Sequence, residues 1–195
     1  MHDPPATGLG SRTAALVRIY RRSMRKIGHF DLMEAWSAVM YELSEMLADA
    51  RLFSHHRGSK LHNLTLEGTL LHARALIEFV VGRRDQKTGA MRRSKLDIDP
   101  GDFASDWNPD ALPPPARDAV ERLLVDLPLI DSTLSHLSWE RADRGETDKV
   151  PWDFARIPSD IVTVFDAFAE HLDQQNLNAR NFAFAYRFER DRLWS

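Results

Sequence analysis

Hydrophobic residues recur at helical spacing along most of this chain. Between residues 31 and 53, Leu32, Trp36, Val39, Met40, Leu43, Met46, Leu47 and Ala50 share one stripe. That stripe predicts an amphipathic helix of about 22 residues. Asp31 stands as its cap, and Glu34 follows three residues later as in a capping box. The polar turn His55-His56-Arg57-Gly58-Ser59 ends it. A second helix is expected over residues 61–81. Leu64, Leu66, Leu70, Leu71, Ala73, Leu76, Ile77, Phe79 and Val80 surround it on nearly every side. A helix that is apolar all round belongs in the middle of a bundle. Gly82, with Arg83 and Arg84 behind it, marks the stop.

A long polar connection follows over residues 83–115, with residues 102–107 as a candidate short helix. Pro113-Pro114-Pro115 suit a helix start, and Ala119, Val120, Leu123 and Leu124 supply the face of a third helix. Pro128 is expected to break or bend it. A fourth helix over residues 129–141 carries Ile130, Leu134 and Leu137. The charged loop 142–158 contains Trp152 and Phe154, which are expected to pin it to the core. A further helix over residues 159–172 shows Ile161, Val162, Phe165, Phe168, Ala169 and Leu172. Near the C-terminus, Phe182, Phe184, Tyr186 and Phe188 alternate with smaller or charged residues. Period two is a strand signal, but a lone strand needs a partner. The stretch therefore reads as a short helix or extended arm docked on the bundle or on a second subunit.

The fold class is all-α: a single helical bundle of about five main helices with long polar connections and a C-terminal arm. Residues 1–28 form a basic tail or short helix, 29–175 the bundle and 176–195 the arm. A length of 195 residues fits one domain with tails.

The absence of cysteine excludes a disulfide scaffold, a thiolate zinc site and a cysteine nucleophile. A net charge of −3 draws the chain as a whole toward neither nucleic acid nor membrane. No apolar run approaches the ~18 residues of a membrane span. No signal peptide is legible, and a cytoplasmic location is expected. Charge is uneven, however. No acid lies between Asp3 and Asp31, while Arg12, Arg18, Arg21, Arg22, Arg25 and Lys26 do. That stretch suits a phosphate-binding arm, a transit peptide or, the reading favoured here, a solvated and partly helical tail. Arg180, Arg187, Arg190 and Arg192 among the C-terminal aromatics suit a single-strand nucleic-acid platform, with docking weighed above it.

Candidate chemistry lies on the second and fourth helices. Glu67, Arg74 and Glu78 share a stripe, His72 lies on a neighbouring face, and His136 and Glu140 are an i, i+4 pair beside Arg141. Charges inside a bundle are costly unless paired. If the two helices are neighbours, His72, Arg74, Glu78, His136 and Arg141 gather into one cluster. These are the candidate catalytic residues. Histidine beside carboxylate and arginine can perform acid–base work on an RNA phosphodiester. The alternative is a structural ion-pair network that sets helix register, and it is weighed higher. No metal or cofactor is expected. The residues three before His72 and His136 are Thr69 and Thr133, so the Glu-x-x-His of a bundle metal site is missing. There is also no phosphate-cradling glycine loop.

His72-Ala73-Arg74-Ala75-Leu76-Ile77-Glu78-Phe79, Asp102-Phe103 with Trp107, and His136-Leu137-Ser138-Trp139-Glu140-Arg141 with Trp152 together resemble a group of uncharacterised bacterial all-helical proteins. That group is similar to the HEPN superfamily, and the resemblance spans residues 31–172. It implies a homodimeric bundle with an RNA or protein partner and a bacterial defence or toxin–antitoxin setting. Where such proteins are active, it implies metal-independent endoribonuclease chemistry. Active members carry arginine followed by histidine after four to six residues. Here Arg22–His29, Arg51–His56 and Arg57–His62 have such spacing, about as often as chance supplies it. The residues after these arginines are Ser23, Leu52 and Gly58, and only the first is polar. His136 and Arg141 run in the reverse order. The expected function is therefore partner binding, with a His/Arg/Glu endoribonuclease and a plain interaction module as alternatives.

Overall fold

The computed structural model describes residues 29–55, 60–84, 91–92, 98–135 and 155–194. Helix α1 spans His29–His55. It starts before Asp31, so that carboxylate sits in the first turn, facing the positive end of the helix, instead of capping it. Helix α2 spans Lys60–Val80. It ends as expected at Gly82, whose φ of 84° is a conformation that favours glycine. Val81 N–H still donates to Ile77 O at 2.9 Å. The indole Nε1–H of Trp107 donates to Val80 O at 2.9 Å, satisfying a carbonyl that the helix end leaves open.

The long connection has structure of its own. Strands β1 (Arg83–Arg84) and β2 (Met91–Arg92) form a two-residue antiparallel ladder, with Arg83 opposite Arg92. Helix α3, Pro100–Phe103, lies slightly ahead of the expected position. Its cap explains why. Gly101 N–H donates to Asp99 Oδ1 at 2.7 Å, and Asp99 N–H donates to Asp102 Oδ2 at 3.0 Å, a reciprocal capping box. A 3₁₀ turn, Pro109–Ala111, precedes helix α4, Pro114–Ser135.

Helix α4 corrects the expectation of two helices, because it runs unbroken through Pro128. Pro128 is exposed. The carbonyl of Leu124, one turn earlier, receives no N–H from Pro128, yet the helix continues on both sides of it. Residues 136–141, Trp152 and Phe154 lie outside the described residues, so the expectations placed on them are not addressed.

Helices α5, Arg156–Asp173, and α6, Leu177–Trp194, complete the bundle. The expected C-terminal arm is thus a full helix, with Ala179, Phe182, Ala183 and Tyr186 in the core. Two i, i+4 aromatic pairs explain the misleading alternation. Phe182 and Tyr186 point inward, Phe184 and Phe188 outward, and an offset of two between the pairs imitates period two.

The architecture is an all-α bundle. Helix α5 packs against α1, α2, α4 and α6. Its Phe165 and Phe168 join Trp36, Phe79, Phe103, Phe182 and Tyr186 in one aromatic core. The middle of the bundle therefore belongs to α5, which corrects the expectation for α2. Helix α2 buries Leu70, Ala73, Leu76, Ile77 and Val80 but leaves Leu64 63% and Leu71 54% exposed. Among the described residues, no helix is long and apolar enough to cross a membrane.

Candidate functional site

The described part of the expected cluster divides across α2. Consecutive helical residues are about 100° apart, so His72 and Arg74 face different neighbours. Towards α1, His72 Nδ1 lies 2.7 Å from Glu42 Oε2. Towards α4, Arg74 Nε lies 2.7 Å from Asp131 Oδ1 and 3.5 Å from Glu78 Oε1. Arg74 and Glu78 are therefore together, with Asp131 as a third member that the sequence reading missed. The single centre that was to include His72 is not what the described residues form. His136, Glu140 and Arg141 lie outside them. The physical reason is the helical turn itself: two residues of separation carry a side chain to another side of the helix.

Around His72 the α1–α2 seam is acidic. Phe53 stacks on His62 with ring centroids 4.0 Å apart, and Tyr41 meets the His72 ring edge-on at 6.1 Å. Between these contacts the helices approach at Gly68. A Cβ there would meet Asp49 Oδ2 at 2.0 Å. Burial raises the pKa of Asp49, His72 opposes that shift and Glu45 adds to it. An imidazole–carboxylate pair can relay a proton. Among the described residues, however, no three histidine or carboxylate side chains form a metal-ligating group. Nor does the described Arg74 stand ready to hold a substrate's charge beside His72, because Asp131 engages it.

Two predictions follow from this seam. Gly68→Ala should gain helix propensity, up to about 1 kcal/mol, but its methyl collides with Asp49. Asp49→Ala/Gly68→Ala should therefore be more stable in urea unfolding than Gly68→Ala alone; equal or lower stability would remove the packing argument. The pH effect has a definite sign. The folded state holds the Asp49 proton to higher pH than the unfolded state does, so stability falls as pH rises from the unfolded pKa through the folded one. The stability of Asp49→Asn relative to the wild type should increase across that window and then level off.

A second ionic centre escaped the sequence reading. Arg156 of α5 bridges Asp126 of α4 at 2.8 Å and Asp160 of its own helix at 3.0 Å. Arg122 of α4 also donates to Asp160, through Nη2 at 2.6 Å and Nε at 3.0 Å. Asp126 and Asp160 are 7% and 5% exposed. Bonding to Asp160 raises the Arg122 pKa. Burial works against the Arg156 charge, but its bonds to Asp126 and Asp160 outweigh that and raise its pKa. Every charge in this set has a partner, as a clamp between helices requires. The only sequence signal was Asp160 amid the apolar face of α5.

The chain matches no protein-family model, no curated protein and no solved structure.

The C-terminal arginines are mostly committed. Arg187 Nη2 lies 2.6 Å from Asp173 Oδ2, Arg192 Nη2 lies 2.6 Å from Glu189 Oε2, and Arg190 pairs with Asp166 and Asp191. Arg180 Nε donates to Asp173 O at 2.9 Å. Tyr186 O–H donates to Asp166 Oδ1 at 2.9 Å, and burial pushes its pKa far up, so the hydroxyl stays protonated. On the side of α6 away from Tyr186, with arginines flanking them, Leu177, Phe184 and Phe188 are 73%, 72% and 61% exposed. Near α3, His171 Nε2 lies 2.9 Å from Asp106 Oδ1. That bond from His171 is the main cause holding the Asp106 carboxyl below the ordinary carboxylate range.

Proposed function

We propose that this protein is a HEPN-like helical bundle, bacterial and cytoplasmic, that works by binding and not by catalysis. It acts as a homodimer, with the outer stripe of α6 as its docking face. One observation carries the reading: Phe184 and Phe188, one turn apart on α6, stand exposed beside Leu177. Aromatic side chains dominate interface hot spots because they bury large rigid areas at small entropic cost. A protein surface fits this stripe better than a nucleic acid does. The arginines beside it are held by Asp166, Asp173, Glu189 and Asp191, whereas phosphate binding uses cations that are free to replace counterions.

Light scattering coupled to size exclusion tests the proposal. The wild type should run as a dimer, and Phe184→Glu/Phe188→Glu should weaken dimerisation by about 100-fold or more with helicity retained. A monomeric wild type at high micromolar concentration would overturn the dimer. A structured RNA incubated in EDTA provides the other arm of the test. Cleavage that disappears in both His72→Ala and His136→Ala, with each variant folded, would replace this reading with an endoribonuclease.

A further inference from the structure

The outward line of α2 is apolar where a surface helix is ordinarily polar. Leu64, Leu71 and Ala75 lie within about 40° of one another on the helix. All three are exposed, the two leucines by more than half. Tyr41 of α1, 56% exposed, meets the His72 ring edge-on and carries the same surface across to the neighbouring helix. Gly68 stands between the two leucines and offers no side chain, so the ridge has a notch there, with Asp49 beside it. From Leu64 to Ala75 the line is about 16 Å long, or about three turns.

Both flanks of this line are acidic. Glu42, Glu45 and Asp49 stand on the α1 side, where His72 is the basic side chain that meets Glu42 and Asp49. Glu78 and Asp131 stand on the α4 side around Arg74, which Asp131 holds. Helices α1 and α2 together carry seven acids against Arg51, Lys60 and Arg74. This one pair of helices thus concentrates more negative charge than the net −3 of the whole chain. That chemistry selects the occupant. A second copy of the chain would set acid against acid, and a phosphate backbone would do the same. Two packed helices offer no strand edge to pair with. A helix with apolar anchors and cations beside them satisfies the leucines and the carboxylates together.

We propose that the outward face of α2, with its α1 flank, binds a cationic amphipathic helix of a partner protein. The apolar side of that helix lies on Leu64, Leu71 and Tyr41, and its cations reach Glu42, Glu45 and Asp49. Gly68 lets the two helices come close, because no Cβ stands between them there. Docking covers the leucines that made α2 read as a central helix, and it brings countercharge to a seam where burial and Glu45 both work against the Asp49 carboxylate. The surface lies on other helices than the α6 face, so the two readings stand or fall independently.

The probe is a fluorescein-labelled peptide of leucine and lysine in an amphipathic helical repeat, about 14 residues and so about 21 Å long when helical. It is titrated with the full chain and followed by fluorescence anisotropy. The lysine peptide should bind, and the same leucine pattern with glutamate for lysine should bind about tenfold more weakly or worse. Leu64→Ser/Leu71→Ser should weaken the lysine peptide by about tenfold or more, and Glu45→Gln/Asp49→Asn by about threefold or more, with circular dichroism confirming that both variants remain folded. Val125→Ser/Leu129→Ser removes another exposed apolar pair, on α4, and should leave the affinity unchanged. Failure of the lysine peptide to bind at high micromolar protein would overturn the proposal. So would equal binding of the glutamate peptide, or an affinity indifferent to the loss of Leu64 and Leu71. Self-association of the chain that Leu64→Ser/Leu71→Ser abolishes would overturn it too, by giving the face to a second copy.

Discussion

Replacing Phe168 with alanine is expected to cost the bundle about 3–5 kcal/mol, the range for emptying a large aromatic site in a packed core. Phe168 is fully buried on α5, the helix that touches the four other long ones. Its ring lies 4.7 Å from that of Trp107, 5.8 Å from Phe79 and 6.2 Å from Trp36. Those neighbours come from α1, α2 and the α3–α4 connection, so the cavity cannot close by the movement of one element. The effect should also reach Trp107, whose indole holds the last carbonyl of α2. Urea unfolding should show the loss, and near-ultraviolet dichroism should report loosened tryptophans even where the far-ultraviolet spectrum is unchanged. A loss below about 1.5 kcal/mol, the scale of a volume-conserving core swap, would mean that the aromatic core is not packed as described.

The second large effect belongs to the α4–α5 clamp. Asp160→Ala should destabilise by about 2–3 kcal/mol. That is below the 3–5 kcal/mol expected when a fully buried pair is broken, because both arginines keep some access to water. Asp160 accepts from Arg122 and Arg156 together, so its loss leaves two guanidinium groups short of a partner at once. Arg122→Met should cost less, about 1 kcal/mol or under, since the Arg122 side chain is 46% exposed. The double variant Asp160→Ala/Arg122→Met should lose less than the sum of the two. Additive losses in that cycle would show that the two groups do not interact.

The fold was largely legible, and the exceptions share a cause. Apolar periodicity placed α1, α2 and α5 within a few residues of their observed bounds, because each has a continuous buried stripe. Gly82 marked the end of α2 because its backbone conformation suits glycine. The break at Pro128 did not occur because a missing N–H ends a helix only where nothing else can satisfy the carbonyl, and the surroundings of that position are not written in the residue. The aromatics 182–188 left helix and extended arm both open, because a helix buried on one face and sticky on the other mixes two stripes into one alternating string; the structure makes the stretch a helix packed on the bundle. The candidate cluster was half legible. Arg74 and Glu78 belong together by helical spacing alone, but Asp131 and Glu42 are chosen by which helix lies on which side of α2.

By itself, the sequence determined the all-α class, the order and approximate bounds of α1, α2 and α5, and the concentration of cations before α1. These follow from local periodicity and composition. Only the tertiary structure decided that α5 and not α2 is central, that His72 and Arg74 serve different neighbours, and that Phe184 and Phe188 face outward. A helix presents every side of itself in sequence, and burial depends on what packs against each side.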